Sequence, residues 1–385
     1  MSNRRPLRIC FVMFGAYPLF NREVNETFGG SEVELYNLAT YLAGFEHNQV
    51  DFIVGDYGQR NIEIRQNIRL IKVKYMHLDK YGSFKYKILR YFYLFSILLR
   101  QPSQIYITKT ASELLGWLVL FEKIFKRKKV VYRLGSDKDA DIEFWEKDRK
   151  LYLLYKLGLE RCNLIYTQSK DQQRMLLERY GIKSRVLKNV FHLAKDETEN
   201  SRQYILWVSR CEPLKRPLLF LELAKNLPDE KFVMIMPYVQ KTDELQNERI
   251  KRITAEVKKA AVELNNFEYL EYVPFNQIQN YYNKAKLFVN TSEYEGFPNS
   301  FIQSCVGKAG ILSLRVNPDE FLTENNLGHC CRDNMEEAIN FIRGLDADRI
   351  EKMGRNAGEY VKQNHDVSSI GKIYMDDFQK LIYKL

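Results

Sequence analysis

Short, dense runs of apolar and β-branched residues alternate along this chain with longer stretches in which apolar positions recur every three or four residues. The first kind reads as buried strand, the second as amphipathic helix. In the first half the strand-like runs are LRICFVMF (7–14), QVDFIVG (49–55), RLIKVKYM (69–76), SQIYITK (103–109), KVVYRLG (129–135), NLIYTQ (163–168) and RVLKNV (185–190). Helical spacing follows the first of them in SEVELYNLATYLAG (31–44). Strand and helix in alternation is the signature of βαβ units and a parallel sheet.

A polar, charged stretch, AKDETENSRQ (194–203), interrupts this pattern and reads as a linker. The pattern then restarts with YILWVS (204–209), a helix over RPLLFLELAKNL (216–227), and strands at KFVMIM (231–236), FEYLEYV (267–273) and KLFVNTS (286–292). No sequence repeat links the halves; only the pattern recurs. The expectation is two doubly wound α/β domains, 1–195 and 196–365, facing across a cleft, with a C-terminal helix over 366–385 crossing back to the first. In such sheets ligands bind beyond the carboxyl ends of the strands.

Length agrees, since 385 residues exceed what one core usually holds. The 59 Lys and Arg against 49 Asp and Glu give a net +10, which suits an anionic partner. The cysteines, at 10, 162, 211, 305, 330 and 331, lack ligand or disulfide spacing, so a reducing compartment is expected. The start reads as a buried first strand, not a signal peptide, because Gly15, Tyr17 and Pro18 close it as a turn does. No apolar run is long enough to predict a spanning helix.

Three strand-end loops carry candidate chemistry. In SEYEGFPNSFIQS (292–304), Glu295 precedes Gly296, Phe297 and Pro298, and a helix is expected to start at Asn299 or Ser300, both good N-cap types. A fresh helix N-terminus favours an anion or a sugar's oxygens. Gly296 allows close backbone approach, and Gln303 falls on the helix face near the loop. In VSRCEPLKRP (208–217), Arg210 and Lys215 are two cations at a strand-to-helix turn, with Pro217 at the first helical position. Arg as a fork and Lys as a point charge suit a pyrophosphate. In FGGSEVEL (28–35), Gly29 and Gly30 follow the first strand; they are a flexible turn or a place of close approach to phosphate. Neither GxGxxG nor GxxxxGK[ST] is present.

Taken in order and spacing, Arg210 with Lys215, EGFPNSFIQ (295–303), GGSE near the N-terminus, VYRLGSDKDAD (131–141) and ILWVSRCEPLKRPLLFLELAKNLP (205–228) resemble the retaining nucleotide-sugar glycosyltransferases of family 4. The resemblance covers nearly the whole chain. It implies the GT-B fold of two Rossmann-like domains with parallel sheets facing across a cleft. It implies that Arg210 and Lys215 hold the donor diphosphate, that Gly29 and Gly30 approach the phosphates, and that Glu295 contacts the transferred sugar. The amides around Gly296, Phe297, Asn299 and Ser300 would meet sugar and phosphate, and backbone near Tyr272 and Val273 the base. Ser136, Asp137, Asp139 and Lys109 fall on the acceptor side. No metal or other cofactor is implied, because cations and a helix end neutralise the leaving group.

Two departures stand out. The family usually has Glu, a ribose contact, where this chain has Gln303. Many members carry a His where this chain has Lys109 or Thr110, so none of the five histidines is assigned a catalytic role. KYGSFKYKILRYFYLFSILLRQ (80–101) mixes cations and aromatics. It reads either as an interfacial helix on an anionic membrane or as a core-packed helix whose charges face water. No nucleic-acid module is present. The expected protein is a retaining glycosyltransferase of bacterial surface polysaccharide synthesis, cytoplasmic or peripheral on the inner face of the plasma membrane. It would use a nucleotide-diphosphate sugar and a glycan or lipid-linked acceptor. The alternatives are a GT-B nucleotide-sugar epimerase and a non-catalytic nucleotide-sugar-binding homologue.

Overall fold

The computed structural model describes residues 5–24, 26, 28–77, 84–125, 128–193, 202–239 and 243–383. Residues 194–201 of the expected linker lie outside these, as do 80–83 of the basic aromatic segment and Lys126 and Arg127. The chain divides into two units, one of residues 1–192 with 366–385, the other of residues 193–365.

The first unit is built on strands β1 (Arg8–Val12), β2 (Gln49–Val54), β3 (Ile62–Arg65), β4 (Ile68–Lys72), β5 (Ile105–Lys109), β6 (Lys129–Arg133), β7 (Leu164–Thr167) and β8 (Arg185–Val186). Their order is β3-β4-β2-β1-β5-β6-β7-β8. All pairings are parallel except β3 with β4, a hairpin turned by Gln66 and Asn67 at φ 51° and 61°. β3 was not expected from the sequence, and β8 stops well short of the strand expected over 185–190.

Both faces of this sheet are covered. Ile9, Phe11 and Phe52 pack against the helix Gly30–Ala43 and the C-terminal helix Val367–Tyr383. Cys10, Val12, Ile53 and Tyr106 face Leu94 and Leu98 of the helix Phe84–Arg100 and Leu115 of Glu113–Ile124. The helix Glu113–Ile124 crosses Arg149–Arg161 so closely that a Cβ on Gly116 would lie 2.3 Å from the Leu154 carbonyl oxygen. Beneath the ends of β5 and β6, Glu34 ion-pairs with both Lys109 and Arg133, and all three are buried. Arg133 also donates to the Tyr374 hydroxyl (2.9 Å), the Leu187 carbonyl (2.9 Å) and Asn189 Oδ1 (2.7 Å). Tyr166 donates to Asp377 at 2.8 Å. The C-terminal helix is thus tied to the sheet through Tyr374 and Asp377.

The second unit carries β9 (Tyr204–Val208), β10 (Phe232–Ile235), β11 (Phe267–Leu270), β12 (Ala285–Asn290), β13 (Gly310–Ser313) and β14 (Gly328–Cys330). All are parallel, in the order β11-β10-β9-β12-β13-β14. The last two strands were not expected from the sequence. Strand order reverses between β9 and β12, which are direct neighbours with Leu206 beside Phe288. In the first unit it reverses between β1 and β5. Crevices at the carboxyl ends of such pairs are where ligands bind in open α/β sheets. Among the described residues, no helix is long and apolar enough to cross a membrane.

Candidate active site

In the second unit, β9 and β12 run side by side into the two loops that hold Arg210, Lys215 and Glu295. Pro213 opens a short 3-10 turn, Pro213–Lys215, and Pro217 takes the first position of the helix Pro217–Asn226. That geometry brings Lys215 Nζ onto the Glu295 carboxylate as an ion pair. Ser292 Oγ donates to the same carboxylate at 2.8 Å. The Glu293 amide donates to the Leu214 carbonyl at 2.9 Å, fastening one loop to the other. Buried Trp207 donates Nε1–H to Thr291 Oγ1 at 2.9 Å, so β9 and β12 are also locked just below the loops. The Lys215 and Glu295 side chains keep 16% and 19% of their surface, enough for a ligand to reach them. Arg210 is more open, at 37%, and leans on the Glu212 carboxylate at 3.4 Å.

The helix Asn299–Val306 starts one residue earlier than a side-chain cap at Asn299 would place it. Pro298 is its N-cap, and neither Asn299 nor Ser300 caps it; they are the first two helical residues. The cause is local: Pro298 is itself extended, at φ −64° and ψ 130°, and the helix begins directly after it. The Phe297 ring is buried among Phe301, Phe321 and His365, with centroids 6.5, 5.0 and 5.1 Å away. It offers a ligand only its backbone. Gln303 stands half-buried on this helix; its carbonyl accepts from Gln279 Nε2 at 3.0 Å. Its side-chain amide has no partner among the described residues. Tyr272 is exposed and Val273 buried in the loop after β11.

The residues predicted in the first unit fare differently. Gly29 N–H donates to Glu32 Oε2 at 3.0 Å, a helix cap, and its φ of −106° is open to any residue. Its backbone conformation therefore gives no sign that glycine is required there. Lys109, expected on the acceptor side, ends β5 but points inward to Glu34 and is buried. Burial pushes its pKa below the usual lysine range. Asp139 is likewise turned inward. Buried, it accepts from the Gly135 amide (2.6 Å) and Ser136 Oγ (3.0 Å), and burial raises its pKa. Asp137 accepts from Gln172 Nε2 at 2.9 Å. Ser136 and Asp139 thus brace their own loop, and Asp137 ties it to the helix Lys170–Tyr180.

Sequence reasoning missed Ser292, which fixes Glu295, and Thr291, which joins Trp207 to the Lys215 loop. Ser292 stands at the first position of the very stretch singled out. Among the described residues, no group of three or more His, Cys, Asp or Glu side chains is placed to hold a metal ion.

Residues 191–363 match the model of a family described as Glycosyl transferases group 1, which spans the second unit almost end to end. No curated protein sequence matches. Among solved structures, sucrose-phosphate synthase from Thermosynechococcus elongatus superimposes with a TM-score of 0.81 at 14% identity, over 99% of this chain and 100% of that one. An alpha,alpha-trehalose-phosphate synthase (UDP-forming) from Burkholderia xenovorans in complex with glucose-6-phosphate gives 0.74 at 11% identity, over 97% and 100%. An E. coli trehalose-6-phosphate structure bound with UDP-2-fluoro glucose gives 0.70 at 12% identity, over 97% and 99%. At such identities the likeness is one of fold, and with the matched domain it decides the class: the chain is a glycosyltransferase of GT-B fold whose second unit carries a group 1 domain.

Proposed function

We propose that the protein is a retaining glycosyltransferase of family 4, moving a sugar from a nucleotide-diphosphate sugar to a hydroxyl of a glycan or lipid-linked acceptor in bacterial surface polysaccharide synthesis. The observation that carries this is the Lys215–Glu295 pair at the β9/β12 switch point, reachable from solvent and flanked by Arg210. An incoming diphosphate competes with Glu295 for the Lys215 ammonium. Once released, the carboxylate faces the sugar. The bond from the anomeric carbon to the diphosphate oxygen breaks as the bond to the acceptor oxygen forms on the same face; negative charge develops on that diphosphate oxygen, which takes up the proton the acceptor hydroxyl loses. Lys215, Arg210 and backbone amides at the start of Asn299–Val306 are preorganised to meet that charge without a metal. Tyr272 and Val273 would border the base, and Gln303 the ribose.

A thermal-shift screen of UDP-, GDP- and dTDP-sugars tests this first, because a ligand that binds only the native state raises its stability with concentration. Transfer to glycan, lipid-linked and sugar-phosphate acceptors follows, with the anomeric configuration of the product read by NMR. The sugar phosphates belong in that panel because a structural neighbour was solved with glucose-6-phosphate. Retention in the product supports the proposal. Donor turnover with no acceptor points to an epimerase, and binding without transfer or hydrolysis to a non-catalytic homologue.

Gln303→Glu should lower the donor KM or leave it similar, with kcat little changed. A charge-assisted hydrogen bond to a hydroxyl replaces a neutral one, and uniform binding shifts KM alone. A collapse of kcat in this variant would remove Gln303 from the ribose side.

Peripheral attachment to an anionic membrane is the second part of the proposal. On the helix Phe84–Arg100, Leu94 and Leu98 are buried, while Ile88, Phe92 and Leu99 are 57%, 68% and 56% exposed. The outward face is therefore apolar and ends in exposed Lys85 and Arg100. This is the reverse of a core helix with charges facing water, and it is how interfacial helices are built. Arg90 turns to the Tyr91 ring, 5.5 Å from its centroid. Lys85 and Arg100 are thus the better pair to replace. Changing them to Gln should weaken sedimentation with phosphatidylglycerol vesicles by roughly 1 kcal/mol per charge. Ile88→Ser with Phe92→Ser should weaken it at high salt as well. Parental binding in both variants would leave the helix without a membrane role.

A further inference from the structure

We propose that Arg216 is a positioning residue of the candidate active site, clamping the loops after β9 and β12 into one register through Asp333. This rests on the reading of those loops as the donor site. Neither Arg216 nor Asp333 was among the residues that the sequence placed there.

Arg216 sits at φ 47°, ψ 50°, between the 3-10 turn and the helix Pro217–Asn226. Glycine takes this left-handed conformation freely, whereas an L side chain resists it. Such a conformation persists where the surroundings over-determine it. Here the surroundings are specific. The guanidinium donates Nε–H to the Thr291 carbonyl at 2.6 Å and Nη2–H to the Ser292 carbonyl at 3.3 Å. The same Nη2 pairs with Asp333 Oδ1 at 2.7 Å. Asp333 follows β14 and is itself left-handed, at φ 65°. One side chain therefore joins the loops after β9, β12 and β14.

The two carbonyls it grips belong to the residues that set the site. Ser292 holds the Glu295 carboxylate, and Thr291 reaches the carbonyl of Lys215. A planar fork makes these contacts together; a lysine ammonium cannot reproduce the geometry. Arg216 acts through Lys215 and Glu295, so its contribution is their placement. Small misplacements of catalytic groups are costly even when every group is present.

Arg216→Gly is the informative variant, because it removes the guanidinium and the backbone strain together. Hydrogen exchange and inorganic diphosphate affinity are measured on the full chain for the parent, Arg216→Gly, Arg216→Lys, Asp333→Asn and the Arg216→Gly/Asp333→Asn pair. The Glu293 amide, bound to the Leu214 carbonyl, reports the register. Its exchange should quicken by about tenfold or more in Arg216→Gly, with the strands of the second unit unchanged. Diphosphate affinity should fall by about tenfold alongside it. Arg216→Lys and Asp333→Asn should fall between, and the pair should be no worse than Arg216→Gly alone.

Parental exchange at Glu293 in Arg216→Gly overturns the clamp. So does faster exchange throughout the second unit, which marks a merely structural residue. If Arg216→Gly does not fold, Asp333→Asn carries the same test, and parental behaviour there is equally fatal. Loosened exchange with diphosphate affinity unchanged leaves the loops clamped but removes them as the diphosphate site; that outcome sinks the donor-site reading and the positioning role with it.

Discussion

Lys215→Ala should lower kcat by about 100- to 1000-fold at saturating donor, or roughly 2.7 to 4 kcal/mol of barrier, the cost of removing one preorganised charge from a developing oxyanion. Glu295→Gln should fall in the same range, because in the proposed reaction the carboxylate faces the carbon at which positive charge develops. Arg210→Ala should cost less than Lys215→Ala. Its side chain is more open to solvent and leans on Glu212 at 3.4 Å, where water screens part of its effect. The Lys215–Glu295 pair exists before any donor arrives, so each single variant also frees the other group. The double variant should therefore be less impaired than the product of the two single effects. Thermal melts of each variant separate lost catalysis from lost folding. Near-parental rates in both Lys215→Ala and Arg210→Ala would take the pair out of the site.

Glu34→Ala should be the most destabilising single change in the first unit. It leaves Lys109 and Arg133 buried without their shared carboxylate. Removing one partner of a buried ion pair costs about 3 to 5 kcal/mol, and a domain of this size loses roughly 2 to 4 °C of Tm per kcal/mol. Arg133 retains Tyr374, Asn189 and the Leu187 carbonyl, so Lys109 is the stranded charge. Adding Lys109→Met to Glu34→Ala should recover part of the loss. The pH dependence has a definite sign. Burial lowers the folded-state pKa of Lys109, so between that value and the ordinary lysine value the unfolded chain holds more protons. Stability of Glu34→Ala should therefore rise as pH climbs through that window. A flat response there, with parental Tm at neutral pH, would show that the three charges are not coupled.

The strands were legible because parallel strands covered on both faces read as continuous apolar runs. The same cause hid the direction of Lys109. Every position of β5 is buried, so no alternation tells which side chains face the helix Gly30–Ala43 and which emerge at the end. β3 was missed for the opposite reason. It is an exposed edge strand, IEIR, whose charges break the apolar run. At the site, Lys215 and Glu295 could be read from residue type and loop position. Their mutual contact could not, because it depends on β9 and β12 being neighbours, and sequence order places two strands between them. Helical spacing in Phe84–Arg100 gave an amphipathic segment without telling which face turns outward.

The insertion of residues 193–365 between the two parts of the first unit sets an order of events during synthesis. The ribosome delivers the whole second unit before the helix Val367–Tyr383, and only that helix supplies Tyr374 to Arg133 and Asp377 to Tyr166. Until it arrives, the apolar face formed by Phe11, Phe52 and their neighbours lacks Tyr374, Met375 and Phe378. The nascent chain thus carries a sticky, half-covered sheet for the time needed to translate a full domain. A chaperone that shields apolar surface has its longest window on this protein there, on the first unit and not the second.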